Sequence, residues 1–298
     1  MMAPMRWRRG LALAALAAFA APVAAGCSWR LDTPPEPFRT PSPTTVLRDH
    51  VAASEAAVGA AAGGSTGPAA GAEAAAVPIR LAALGGVSPT SSPRPSENLD
   101  AAIKAAQDAA RECLEGAEDD PLGGLCASIL LSHSLILGPP VAPTWEATAF
   151  LEGPQVTPGA DSHVSAEEVG ELALEHDKLR ALFEVIAARS KGAERTAALE
   201  TSSVERSRVA ALLAVPGVQN LTQPAYDVPG EAAAALPAQV ALAQTYAALL
   251  VSAAPQDREW LLNSAYVAYE AAIASGLTLA QVPALPGAVE PSPSPTAS

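Results

Sequence analysis

Apolar residues recur at alternating steps of three and four along the second half of the chain. The stretch "SAEEVGELALEHDKLRALFEVIAARSKG" places Val169, Leu172, His176, Leu179, Phe183 and Ile186 on one helical stripe. Ser165 and Glu168 are spaced as a capping box and predict the start of that helix. Gly192 predicts its end, and a second helix is expected over 193–215. Its inner face reads Leu199, Ser202, Arg206, Val209 and Leu213. The long polar connection "PGVQNLTQPAYDVPG" leads to a third helix over 231–254, marked by Leu236, Val240, Ala243, Ala247 and Leu250, with a kink expected at Pro237. A fourth is expected over 256–276.

The first half is punctuated more heavily. A helix is expected over 45–61, followed by low-complexity Ala/Gly sequence over 59–76 and a short helix ending in "RLAALGG". The Ser/Pro stretch "VSPTSSPRPS" reads as a linker. Beyond it, a helix from Ser96 and a second starting at Asp120-Pro121 predict an antiparallel hairpin that closes with "SHSLILGPP". "LAALGG" and "SLILGPP" end successive hairpins alike, a hint of duplication. Residues 139–164 read as a Pro/Gly-rich connection and the ending "PSPSPTAS" as a disordered tail.

Composition agrees with an all-α fold. Aromatics make up 4% of a chain that is 49% hydrophobic and dominated by alanine, which favours closely packed helices over strands. A formal net charge of -13 repels phosphate backbones, so nucleic acid is excluded as a partner class. Arginine exceeds lysine, and Ala, Gly and Pro dominate, as in high-GC genes.

The N-terminus "MRWRRGLALAALAAFAAPVAAGC" has a basic start, an apolar run and a small-residue end, the layout of a secretory signal. The apolar run is shorter than the roughly 20 residues of a spanning helix. "AAGC" resembles a lipobox, which implies cleavage before Cys27 and acylation of it. The Pro-rich segment 27–43 would then be a tether. A transmembrane anchor and plain secretion after cleavage near Ala25 are the alternatives. Cys113 and Cys126 lie equally far from the Asp119-Asp120 turn, so an antiparallel hairpin sets them face to face. A disulfide there would contribute about 3 kcal/mol; two buried free thiols are the alternative.

"GCSWRLDTPPEP", "RLAALGG", "LEHDKLRALFEVIAAR", "QPAYDVP" and "VPALPG" together resemble landmarks of actinobacterial lipoproteins carrying a ferritin-like domain of unknown function. Four helices with a long connection after the second suit that bundle type. The resemblance implies a lipoprotein signal peptide over 1–26, helical hairpins over 44–138, a linker over 139–164, a ferritin-like four-helix bundle over 165–286 and a tail over 287–298. It implies membrane attachment on the extracytoplasmic side and no defined activity.

Ferritin-like metal sites take inward carboxylates and Glu-x-x-His pairs. Here the residue three before His176 is Ala173, so that pair is missing. Glu175 and His176 remain as candidate iron or manganese ligands. Arg206, at an expected inward position, would oppose a dication, so the preferred expectation is an internal polar cluster of Glu175, His176 and Arg206. His50, His133 and His163 are scattered and read as structural. "GGSTG" matches a serine-nucleophile elbow but lies in an Ala/Gly linker, without the strand that motif needs. The expected role is a non-enzymatic module that binds a partner in the cell envelope; the alternative is a metal-binding or redox protein.

Overall fold

A computed structural model describes residues 40–89, 96–117, 120–138, 158–159, 161–229 and 231–288. The expected signal peptide, Cys27 and the tail beyond 288 lie outside these residues. The described residues are all-helical, with eight α-helices and no strand. They are α1 (Pro43–Gly63), α2 (Pro68–Ala83), α3 (Leu99–Gly116), α4 (Asp120–Leu137), α5 (Ala166–Arg189), α6 (Gly192–Leu213), α7 (Ala235–Ser252) and α8 (Arg258–Ala274).

Local chemistry explains the boundaries. The Ser42 hydroxyl accepts from the Thr45 amide ahead of Pro43, and Asn98 rather than Ser96 caps α3 through the Ala101 amide. The Ser165–Glu168 capping box opens α5. Gly192 does not end α5, which stops at Arg189; it takes a φ of +58° and opens α6 instead. The Ala/Gly sequence after Gly67 is ordered: Pro68 begins a helix that runs through to Ala83, because alanine forms helix without needing a wide apolar face. Pro237 falls in the first turn of α7, where its missing N–H has no helical partner to lose, and the 3-10 turn Ala232–Ala234 directly precedes that helix.

Helix α1 packs on α2 and α3, and α3 pairs with α4. The second four helices repeat that order: α5 packs on α6 and α7, and α7 pairs with α8. Helix α4 lies against α7 and α8, so one apolar core runs through both halves, from Val51, Ala110 and Leu130 to Leu172, Leu250 and Leu261. A smaller cluster of Val58, Val77 and Ile103 lies among α1, α2 and α3. Cys113 on α3 and Cys126 on α4 are joined by a disulfide with Cα atoms 6.1 Å apart, inside the bridgeable range.

After α8 the chain does not simply trail off. Thr278 and Gln281 form a capping box over the single 3-10 turn Leu279–Gln281, which packs against α2. The Pro286 carbonyl accepts from the Ser128 hydroxyl of α4 at 2.8 Å, and Leu285 is buried. Gly287 takes a φ of +81° where its Cα backs onto the Ala247 carbonyl of α7. Residues 275–288 thus form a strap over α2, α4 and α7.

Candidate functional site: two buried charge clusters

Helices α1 and α2 are alanine-rich, and each carries an acidic residue on its inner face. Glu55 on α1 and Glu73 on α2 are fully buried, as is His133 on α4. Arg80 lies seven residues after Glu73, two turns along the same face of α2, and is 1% exposed. His133 Nε2 lies 2.6 Å from Glu55 Oε1, and its Nδ1 lies 3.2 Å from Glu73 Oε1. The Arg80 guanidinium donates through Nη1 to Glu73 Oε2 at 2.7 Å and to Glu55 Oε2 at 3.3 Å. Its Nη2 donates to the Ser132 hydroxyl at 2.5 Å, and its Nε donates to the Ala284 carbonyl of the strap at 3.0 Å.

An ionised carboxylate only accepts hydrogen bonds, so an imidazole between two of them needs a proton on each nitrogen. His133 is therefore an imidazolium. The 3.3 Å approach of Arg80 Nη1 to Nε2 is then a contact between two donors rather than a hydrogen bond. Two cations and two carboxylates leave the cluster neutral, which is what makes its full burial tolerable. Burial pushes the Glu55 carboxyl up, but the adjacent His133 and Arg80 outweigh it and hold it at about 2, against an ordinary 4.5. Burial likewise depresses His133, but Glu55 chiefly, with Glu73, overcomes both burial and the Arg80 charge and raises it above 6.5.

These shifts fix the pH dependence. A carboxyl with a lowered folded value contributes stability above its unfolded value and loses it as pH falls. The histidine, with a raised folded value, contributes below 6.5 and loses it as pH rises through the folded value. Stability is expected to be greatest between about 4.5 and 6.5, declining toward pH 2 and again above 6.5. Urea unfolding at a series of pH values checks this. His133→Gln should flatten the alkaline limb, and an unchanged limb would show that the histidine is not the group responsible.

The second cluster occupies the other half. His176 on α5 is buried, with Nδ1 2.5 Å from Glu205 Oε2 on α6 and Nε2 2.7 Å from the Tyr246 hydroxyl on α7. Arg208 donates to Glu205 Oε1 at 2.7 Å. The network is satisfied when Nδ1–H donates to Glu205 and Nε2 accepts from the Tyr246 O–H. Burial raises Glu205, but the His176 hydrogen bond and the Arg208 charge bring it below its ordinary value. Burial raises the Tyr246 phenol well above 10. Trp260 meets the Tyr246 ring edge-on, with centroids 6.4 Å apart.

Of the expected polar trio, only His176 points inward. Glu175 is half-exposed and pairs with Lys178 at 2.6 Å, because the next residue on a helix is turned by about 100° from the inward stripe. Arg206 is exposed and pairs with Glu184 at 2.6 Å. The inner face of α6 keeps Ser202 and Val209 as expected but is turned toward Ala198, Glu205 and Leu212 in place of Leu199, Arg206 and Leu213, and Leu199 is 47% exposed. The rotation brings Glu205 to His176 and keeps Arg208 within reach, at the cost of exposing one leucine. Glu175 is thus not placed with His176 as a ligand pair.

His133, read as structural, is the centre of the more highly charged cluster. One signal was available: Glu55, Glu73 and Arg80 are charged residues set in otherwise alanine-rich apolar runs. Two sequence stretches far apart in the chain also touch, since Arg80 of "RLAALGG" bonds Ala284 of "VPALPG". His50 lies against Glu112 at the surface, and the His163 amide donates to Asp257 at 2.7 Å. Ser65 of "GGSTG" donates to the Ala61 carbonyl in the turn between α1 and α2, in no strand–helix elbow.

Glu55, Glu73 and His133 each offer a ligand atom, all within 4.8 Å of one another, the type of donor set that holds a divalent ion. A cavity of about 20 Å³, room for about one water, reaches this cluster beside Glu73, Arg80 and Ser132 and is roofed by Leu279, Val282 and Pro283 of the strap. A wider, open groove of about 410 Å³ lies between the start of α5 and the 217–221 turn, where Glu167 and Glu171 face it.

No known protein family, curated protein or solved structure matches the chain.

Proposed function

We propose that the chain is a lipid-anchored, extracytoplasmic helical module of ferritin-like type, which binds a partner in the cell envelope and performs no chemistry of its own. Cys27 is the acylated residue in this reading, and 28–43 the stalk that holds the module off the membrane. One observation carries the non-enzymatic part: Arg80 sits beside His133 and donates to Glu55 and Glu73, and the two cations together neutralise the two carboxylates. A cation is already in place among the donors that could otherwise hold a metal. The acidic surface favours a partner with a basic face.

Two measurements test the reading. Mass spectrometry of the membrane fraction should find a diacylated N-terminus at Cys27, and a Cys27→Ser variant should leave the membrane. Metal analysis of the purified wild-type protein should find no stoichiometric iron or manganese. Stoichiometric metal lost in His133→Ala would instead favour the second reading, a metal-binding or redox protein. That alternative draws on the close approach of Glu55, Glu73 and His133, and needs an ion able to displace Arg80 from them.

A further inference from the structure

We propose that Glu55, Glu73 and His133 are a divalent-metal site of which Arg80 is the built-in occupant, so that removing the guanidinium turns the cluster into a binding site for one divalent cation. This inference rests on reading the cluster as internally neutralised.

Charge makes the argument. The two carboxylates carry two negative charges, matched by the Arg80 guanidinium and the proton that makes His133 an imidazolium. One divalent ion bound to a neutral imidazole and two carboxylates gives the same zero total. Guanidinium plus proton and divalent ion are therefore interchangeable fillings of one buried cavity. Both together would leave a net positive charge with no water to solvate it, so the wild-type cluster is expected to reject a metal.

Donor chemistry sets the class of ion. Two carboxylates and one imidazole suit manganese, iron(II), cobalt and zinc, and offer too few oxygens for calcium. The ligands sit on three helices, α1, α2 and α4, so the set is assembled only in the folded chain. The ligand atoms of the three residues already lie within 4.8 Å of one another. Arg80 reaches the carboxylates through Nη1, with one longer contact from Nη2, while its Nε and Nη2 are anchored to Ala284 and Ser132. Truncating that one side chain empties the space between the donors, and the narrow cavity beneath the strap leads to it.

The exchange also balances protons. Coordination of the ion by one imidazole nitrogen requires that nitrogen to be deprotonated, so His133 releases one proton for each ion bound.

The test is cobalt(II) titration of Arg80→Met and of the wild-type chain, followed by visible d–d absorption, proton release and Tm. Arg80→Met should take up one cobalt per chain, release one proton at pH 6 and gain Tm on binding. The wild type should do none of these. Adding His133→Ala should abolish uptake. Uptake that survives His133→Ala, or no uptake by a folded Arg80→Met protein, overturns the proposal.

If Arg80→Met does not fold without metal, refolding it with one equivalent of cobalt decides, because the ion restores the zero total with both carboxylates kept. A folded, coloured protein that is lost with His133→Ala supports the site, and failure to fold with cobalt refutes it. Stoichiometric metal in the wild type would overturn the functional reading above, whereas failure of the variants alone leaves that reading standing.

Discussion

Arg80→Met in the metal-free protein is expected to lower the free energy of unfolding by about 3–5 kcal/mol, measured by urea denaturation at pH 6. Methionine follows the arginine stem as far as Nε and is apolar, so the packing lost is confined to the guanidinium head. What is lost is one of the two cations facing Glu55 and Glu73, both fully buried. A single imidazolium then faces two carboxylates, and one negative charge is left in the core. Ser132 and the Ala284 carbonyl also lose their partner. The double variant Arg80→Met/Glu73→Gln leaves one imidazolium facing one carboxylate, removes the uncompensated charge while keeping shape, and should recover most of the loss. A single variant within about 1 kcal/mol of wild type would mean that Arg80 does not neutralise the cluster.

Gly124→Ala is expected to cost about 2–3 kcal/mol, as overpacking at a rigid contact does. Gly123 and Gly124 sit side by side on α4 where it crosses the corner between α7 and α8. A Cβ at Gly124 would overlap the Val251 carbonyl, and one at Gly123 would overlap the Arg258 guanidinium. Backbone cannot move aside as a flexible side chain can, so α4 must lift from α7. Alanine ordinarily improves a helix over glycine by up to about 1 kcal/mol, and Gly71 supplies the control. Gly71 lies within α2 with nothing within 4 Å of an added Cβ, so Gly71→Ala should raise Tm while Gly124→Ala lowers it. Equal shifts for the two would show that α4 and α7 are not in backbone contact.

Much of the helix layout was legible because it rests on local chemistry. Caps at Ser165, breaks at glycine and three-four spacing need no distant partner. Cys113 and Cys126 could be paired for the same reason, since their hairpin is short. The charge clusters were harder to read because each joins helices far apart in sequence. Glu55 and His133 are separated by 78 residues, and an isolated glutamate in an alanine run gives no sign of its partner. On α6, preference for leucine predicted Leu199 and Arg206 inside, whereas the carboxylate of Glu205 found better compensation there from His176 and Arg208 than a leucine could give. Tyr246 falls between the aliphatic marks Ala243 and Ala247 of α7, so that spacing does not single it out.

The strap has a consequence for the order in which the molecule comes together. Arg80 and Ala284 are 204 residues apart, so the N-terminal cluster receives its last hydrogen bond and its roof from nearly the final stretch of described chain. Closing a loop of that length is entropically late. A chain that emerges from a ribosome or a translocation pore N-terminus first would assemble the disulfide-linked hairpin long before that seal arrives. Until then Glu55, Glu73, Arg80 and His133 stay open to water and to ions. The period before the strap docks is when the cluster must select its own arginine over everything else in the surrounding solution.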